Sequence, residues 1–510
     1  MTNNKLIKGA LILAIAGLIA KFMGIFFKIP LQRLIHDEGM GIYGLPYPIY
    51  TVLLTISIIG FPSAISKLIS EKMAVGNYLA ANRIFKVAFF MLLCIGLATS
   101  LFIYFNVNRI IAILNWPQET YYSIIALAFA PFFVSIMSAF RGYFQGLQLM
   151  TPTAISQIVE QMGRVFFGVG LAYLFIAKGT GFAAGAASFG ATIGGFLGTI
   201  VLILYYLKYR KRTRVSSIGI AKVNIDNTCS IIKKLLWIAF PITIGGILAS
   251  VMGLIDSIIV HSRLIETGYT AEAATILYGR LTGKAVTLMN VPLTLSMAMT
   301  ASLVPAISES FSRGSLNELR KKAALGIKIT VMLALPSAIG LSILSNQIIH
   351  LLWGKGELGG DILRVLACNV LFISVAQTTT AILQGIGNVY LPVRNLIIGV
   401  IVKWIVSNLL LMTYLNIIGT VIGTMMGYII IMLLNCFELK RLIGFKIKIL
   451  DSIIKPLFAA LTMGIIVYLV FKLTLHYLAI EYIATILSIL AGLVYYLAIT
   501  YIIDGNLLQV

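Results

Sequence analysis

The chain has 510 residues, of which 59% are hydrophobic and 11% are charged, whereas ordinary soluble domains carry roughly 25% charged residues. So few polar side chains cannot cover so much apolar surface in water, which excludes a secreted enzyme, a soluble nucleic-acid-binding protein and a single-span receptor. Lysine and arginine (39) outnumber aspartate and glutamate (17), and the formal net charge is +22. This excess is typical of multi-span membrane proteins, whose cytoplasmic loops retain basic residues.

Apolar runs between charge clusters predict about fourteen membrane-spanning helices, because a span takes about 20 apolar residues. The first run has the basic start of a signal peptide. It continues to Pro30 without a small-residue cleavage site, so we expect it to be retained as span one. In chain order the predicted spans are 8–35, 42–66, 83–105, 121–144, 152–177, 181–207, 235–260, 273–304, 323–344, 362–383, 392–414, 418–439, 453–475 and 482–503.

Basic residues alternate between the two sides of these spans. They cluster before span one and in the loops after spans two, six, eight and twelve, which share one side if every span crosses once. The opposite loops contain few cations. The positive-inside rule therefore predicts a multi-pass protein of the cytoplasmic membrane with both termini in the cytoplasm.

The sequence contains an internal repeat. Residues 63–70 resemble 305–312, residues 76–88 resemble 314–326, and residues 144–155 resemble 383–394. The copies are about six spans apart, and an even number of crossings gives both the same topology.

The repeat predicts an all-α fold with two pseudo-symmetric six-helix lobes and two C-terminal helices. The predicted parts are an N-lobe (1–209), a basic cytoplasmic linker (210–234), a C-lobe (235–441) and helices 13–14 (442–510). A cleft between the lobes favours a transporter over a structural anchor.

Several ionisable residues lie inside the predicted spans, although each costs about 2.5–3.5 kcal/mol near the bilayer centre. Most are cations, which indicates a water-filled cavity with a positive lining. The candidate substrate-binding residues are Lys21, Lys28, Arg164, Lys284 and Lys403. Lys28 could instead extend to the outer interface, whereas Lys403 is too deep to do so easily and Lys21 and Lys284 are also far from their span ends.

Two acidic residues accompany these cations. Glu160 precedes Arg164 by four residues on the same helix face, so a local neutralising pair is an alternative to a binding role. Asp256 in span seven could pair with a cation or bind a coupling ion, and the sequence leaves both possibilities open.

The chain shows no CxxC spacing, paired carboxylates or nucleophile constellation. We therefore expect transport rather than catalysis, and neither a metal site nor a cofactor nor a nucleic-acid partner. The cysteines and histidines are scattered along the chain: Cys94, Cys229, Cys368, Cys436, His36, His261, His350 and His476.

Three stretches, residues 21–71, 140–168 and 278–310, carry a family resemblance. With the fourteen-span pattern, they resemble the polysaccharide-transporter family of the multidrug/oligosaccharidyl-lipid/polysaccharide (MOP) flippase superfamily over nearly the whole chain. The resemblance implies a MOP/MATE-like fold. It also implies movement of lipid-linked sugar precursors of peptidoglycan, including those for the spore cortex, or of other envelope polymers across the cytoplasmic membrane.

In the related lipid II flippases, cations of the first, second and eighth helices line a cavity between the lobes. The resemblance implies this role for Lys21 and Lys28 in span one and for Lys284 in span eight. Span two departs from the pattern because it has no cation at mid-span, and Lys67 lies at its cytoplasmic end.

The predicted function is a monomeric flippase that moves a lipid-linked saccharide with a pyrophosphate headgroup by alternating access. The headgroup cannot cross hydrocarbon unaided, whereas lysines in a wet cleft can bind its phosphate oxygens. One alternative is a cation-coupled multidrug exporter of the same superfamily, which should have an acidic cleft. Another is a membrane glycosyltransferase, which needs a large outer loop with catalytic carboxylates.

Overall fold

The computed structural model describes residues 2–58, 60–213, 227–445 and 449–503. Within these ranges every regular element is a helix, which confirms the predicted all-α fold. Most of the predicted linker (214–226) and the end of the last predicted part (504–510) lie outside the described residues.

Long apolar runs form long helices in the first half of the chain, and polar turn residues separate them. Asn77 starts α4 by accepting a hydrogen bond from the backbone N–H of Ala80 (2.9 Å), and Asn115 ends α4 in the left-handed conformation. The helices are α1 (Thr2–Gly44), α2 (Tyr47–Ile58), α3 (Gly60–Ala74), α4 (Tyr78–Leu114), α5 (Thr120–Ala128), α6 (Ala130–Gly146), α7 (Met150–Phe175), α8 (Thr180–Thr213) and α9 (Thr228–Glu266).

The second half begins with a helix that contains a π-helical segment, Arg280–Ala285, between α10 and α11. A second π-helical segment, Leu450–Ile454, precedes α18. The helices are α10 (Ala271–Gly279), α11 (Val286–Ser312), α12 (Leu316–Ile343), α13 (Ser345–Trp353), α14 (Gly360–Ala367), α15 (Asn369–Gly385), α16 (Tyr390–Leu411), α17 (Ile417–Ile443), α18 (Lys455–Leu478) and α19 (Glu481–Ile503).

Thirteen helical segments among the described residues are long and apolar enough to cross a membrane. They coincide with thirteen of the predicted spans. Span two combines α2 with α3, span four combines α5 with α6, span eight combines α10 with α11 through the π-helical segment, and span ten combines α14 with α15. The other predicted span, 235–260, lies within α9, a helix of 39 residues that is not among the thirteen. The chain is a multi-pass membrane protein.

The internal repeat reappears in the helix geometry. Span four is broken at Phe129 and span ten at Cys368, and each break is followed by a helix of 17 residues. The alignment of residues 144–155 with 383–394 places these two breaks at equivalent positions of the two copies. Gly76 and Gly314, the first residues of another matched pair of segments, have nearly the same left-handed φ (70° and 68°).

The chain divides into two compact units. The first comprises residues 1–262 and 271–276, and its core lies among α3, α4 and α6. The second comprises residues 263–270 and 277–510, and its core lies among α12, α15, α17 and α18. In this division most of α9 belongs to the first unit; the lobe boundaries stay a prediction.

Glycines bring two pairs of helices into close contact. A Cβ added to Gly194 of α8 would lie 2.4 Å from the carbonyl oxygen of Glu160 in α7. One added to Gly427 of α17 would lie 2.8 Å from the carbonyl oxygen of Gly399 in α16. Small residues permit this approach of membrane helices, and the two contacts hold the segments of α7 and α16 that carry candidate cations.

Candidate functional site

The cations of α1 lie on the side of that helix that is turned toward α7. Lys21, Gly24 and Lys28 are spaced by three and four residues and therefore share one helix face. A Cβ added to Gly24 would point at the Oε1 atom of Gln161 in α7, 3.8 Å away. Lys21 is exposed and Lys28 is partly buried.

A charged cluster lies between α6 and α7. Glu160 Oε2 is 2.9 Å from Arg141 Nη2, and Glu160 Oε1 is 3.6 Å from Arg164 Nη2. Arg141 Nε also donates to Ser156 Oγ (3.0 Å), and Arg164 Nη1 donates to the hydroxyl of Tyr47 (3.1 Å). Glu160 thus bridges two arginines. The sequence indicated Arg164 as a partner by its spacing, but Arg141 lies on another helix and was missed.

A stripe of polar residues runs along α7 beside this cluster. Gln157, Gln161 and Arg164 recur at helical spacing. Their Oε1, Oε1 and Nε atoms are buried and have no hydrogen-bond partner among the described residues, and the same holds for the hydroxyl of Tyr50. Because buried polar atoms normally form hydrogen bonds, the stripe has unused capacity to bind a polar ligand. The glutamines were not predicted, although their spacing from Arg164 was a readable signal.

Lys284 lies in the second unit, at the end of the π-helical segment, and is fully buried. Its Nζ donates to Glu357 Oε2 (2.6 Å) and to the carbonyl oxygen of Leu358 (3.0 Å). Both acceptors belong to the loop between α13 and α14, so Lys284 is level with the start of span ten. Glu357 is 73 residues away in the sequence, and no spacing rule could have found it.

Lys403 is buried in α16 and only 1% exposed. The internal repeat aligns it with Arg164 of the first unit. Each of these cations lies beside the glycine contact to the following helix: a Cβ on Gly194 would be 3.1 Å from the backbone nitrogen of Arg164, and one on Gly427 would be 3.2 Å from Lys403 Cβ. Each unit therefore carries a cation at the matching place in its helix pair.

Asp256 lies partly buried on α9, on a different helix from the cations of α1 and α7. The backbone carbonyl of the next residue, Ser257, accepts a hydrogen bond from Trp116 Nε1 (3.0 Å), which attaches this part of α9 to the end of α4. In the described ranges, no group of three or more His, Cys, Asp and Glu side chains could hold a metal ion.

A family model described as polysaccharide biosynthesis protein matches residues 6–311, which is more than half of the chain. The chain belongs to the polysaccharide biosynthesis protein family. A second model, described as MatE, matches residues 241–410. Lys21, Lys28 and Arg164 fall in the polysaccharide biosynthesis match, Lys403 in the MatE match and Lys284 in both.

Two curated relatives of this family member resemble nearly its whole length. The lipid II flippase MurJ of Bacillus subtilis (strain 168) is 29% identical over 468 residues, covering 88% of this chain and 85% of the relative. Stage V sporulation protein B of the same strain is 26% identical over 451 residues, covering 88% of this chain and 86% of the relative. The predicted family resemblance is confirmed.

Solved structures show the same fold. The lipid II flippase MurJ in an inward closed conformation has a TM-score of 0.72 at 17% identity, covering 98% of this chain and all of that chain. An inward-facing MATE family transporter of the MOP superfamily has a TM-score of 0.68 at 14% identity, covering 83% of this chain and 94% of that chain. The predicted MOP/MATE-like fold is confirmed.

Proposed function

We propose that this protein is a flippase that moves lipid-linked saccharide precursors with an anionic pyrophosphate headgroup across the cytoplasmic membrane, for peptidoglycan or spore cortex synthesis. The observation that carries the proposal is the placement of buried or partly buried cations in both units of a membrane protein, at Lys28, Arg164, Lys284 and Lys403. Relatives named as a lipid II flippase and a sporulation protein support the choice of cargo.

The charges suit a phosphate-bearing cargo. Lys21, Lys28 and Arg164 supply positive charge on α1 and α7, and the glutamines of α7 add uncharged hydrogen-bonding groups. Phosphate oxygens accept charge-assisted hydrogen bonds from such cations, and sugar hydroxyls can pair with amide oxygens. These groups would replace the headgroup's water during transfer. In this proposal Glu160 tunes the charge of the cluster by pairing, and Asp256 pairs with a cation or binds a coupling ion.

The second unit also offers room for hydrocarbon. A cavity of about 730 Å³ lies among α12, α15, α17 and α18. Apolar side chains such as Val331, Leu371 and Met432 line it, and Lys440 lies at its edge. Such a cavity accepts an apolar chain rather than a sugar, which fits a cargo with a polyprenyl tail.

The predicted repeat-related lobes suit alternating access by a monomer, in which the lobes rock about the substrate. The distribution of basic loops separately predicts that both termini are cytoplasmic. Membrane crossing of the headgroup requires no covalent step.

A reconstituted flipping assay tests the proposal. We expect the purified protein in liposomes to move lipid II but not polyprenyl lipids with a neutral headgroup. We expect Lys21→Ala and Lys284→Ala to reduce lipid II movement at least about tenfold, because each removes a charge-assisted contact worth about 1.5–3 kcal/mol. Normal flipping by both variants would contradict the assignment.

The MatE match and the MATE structural neighbour favour one other candidate, a cation-coupled multidrug exporter. A cationic drug would require acidic groups in the pathway, whereas the deep charges here are mainly basic. Ethidium efflux by the same liposomes, without lipid II movement, would establish the exporter instead.

A further inference from the structure

We propose that Glu357 is an exchangeable counter-ion of Lys284, and that an anionic phosphate group of the cargo displaces it from the lysine during transport. The inference rests on the proposed flippase function. It adds a residue that controls the access of an anion to Lys284. It concerns side chains of the second unit.

The two members of the pair differ in accessibility. The side chain of Lys284 is fully enclosed, whereas that of Glu357 is 35% exposed. An incoming anion therefore meets the carboxylate before the ammonium group. Since a carboxylate and a phosphate present the same kind of oxygen acceptor to a lysine, one can take the place of the other.

Glycines flank Glu357 in the loop between α13 and α14. Gly354, Gly356 and Gly359 surround the glutamate and have φ values of 118°, 85° and 122°. Only glycine adopts such values without strain, and glycines leave the backbone freedom to change conformation. Hinges commonly consist of a few such residues at the ends of elements. A conformational change at these glycines would let Glu357 leave Lys284 without displacing α13 or α14.

Stability alone does not explain a lysine at this place. Leu281, Gly283 and Ala285 around Lys284 are buried as well, so an apolar side chain would suit the position. Replacing a buried ion pair with apolar residues is often neutral or stabilising. The π-helical turn, a feature frequent at functional sites, supports a functional reason for the ammonium group.

A second cation borders the same loop. A Cβ added to Gly359 would lie 3.6 Å from both Arg280 Cβ and Lys284 Cδ. Arg280 and Lys284, four residues apart, thus approach one segment of the loop from neighbouring turns of the helix. A phosphate group displacing Glu357 would enter next to both.

Binding of fluorescent lipid II to the full-length protein in nanodiscs tests the exchange. We expect Glu357→Gln to lower the Kd for lipid II about fivefold, because the competing charge is lost. In the double variant Lys284→Gln/Glu357→Gln, which leaves a neutral pair, we expect the gain to disappear and the Kd to exceed that of the wild type. The control is Asp451→Asn, which breaks a pair of equal length (2.6 Å) with Lys455 whose carboxylate is about as exposed as that of Glu357 (39%); it should leave the Kd unchanged.

The outcomes separate the inference from the proposed function. If the wild type binds lipid II but Glu357→Gln binds it equally or more weakly, Glu357 does not compete with the cargo. If the double variant keeps the full gain, the effect is general repulsion and not exchange at Lys284. If the wild type neither binds nor moves lipid II, the proposed function itself fails.

Discussion

Glu160 shows how this chain accommodates a charge inside a membrane helix. It touches Arg141 on one side and Arg164 on the other, and both arginines make a further hydrogen bond to a hydroxyl group. Glu438 of the second unit is also buried, but it pairs with Arg394 (2.7 Å), whose side chain is 53% exposed. Breaking such a pair costs more than the pair contributes, because one charge then remains buried without its partner.

Arg141→Met should therefore lower the free energy of unfolding by about 2–3 kcal/mol, somewhat less than a full buried-pair loss because Arg164 remains near Glu160. Thermal unfolding of the purified protein in detergent measures this. The double variant Arg141→Met/Glu160→Gln should recover most of the loss. Arg313→Met removes an exposed pair with Glu309 and should cost no more than about 0.5 kcal/mol. An equal loss of unfolding free energy in Arg141→Met and Arg313→Met would contradict the claim that burial makes the Arg141 pair more important.

The cations of the site could be predicted from the sequence, whereas most of their partners could not. A lysine inside an apolar run is visible because it interrupts the run. Arg141 and Glu357 are 19 and 73 residues from the groups that they contact, and only tertiary packing brings them together. Gln157 and Gln161 were partly predictable. Their spacing from Arg164 is visible in the sequence, whereas the lack of a hydrogen-bond partner for their Oε1 atoms among the described residues is visible only in the structure.

At the scale of elements, the apolar lengths predicted the spans but not their internal breaks. Hydrophobic length decides whether a segment can cross a bilayer, and it does not register the local interruption of the helix at Phe129 or Cys368. The π-helical turn before α11 was also outside what hydropathy can indicate. Small residues, in contrast, position α16 against α17 and α7 against α8.

Gly427→Ala should separate α16 from α17. The added Cβ would lie 2.8 Å from a backbone oxygen, which cannot move aside like a side chain. We expect a loss of about 1–3 kcal/mol in the free energy of unfolding, together with reduced lipid II flipping because Lys403 shares the contact. Gly340→Ala on α12, where a Cβ would meet nothing within 4 Å, is the matched control and should be neutral or slightly stabilising. Equal stability of the two variants would show that the contact is not tight.

At the scale of the whole molecule, the loop charges predict an orientation that can be measured directly. Cys229 is exposed at the start of α9, close to the basic segment predicted to be cytoplasmic. In a variant with Cys94, Cys368 and Cys436 changed to serine, we expect a membrane-impermeant maleimide to label Cys229 only after the cells are permeabilised. Adding Lys355→Cys, at an exposed loop position on the predicted outer side, should give labelling of intact cells. Labelling of Cys229 in intact cells would reverse the topology.

The breaks at Phe129 and Cys368 also bear on the internal duplication of this chain. They occupy the same register in the two copies, as expected if a half-length ancestor already had the interruption before its gene was duplicated. Arg164 and Lys403 share a register in the same way. Lys284 has no such counterpart, since the corresponding stretch of the first copy, residues 40–48, contains no basic residue. The two copies are therefore not equivalent at the place where the second one pairs a buried lysine with Glu357.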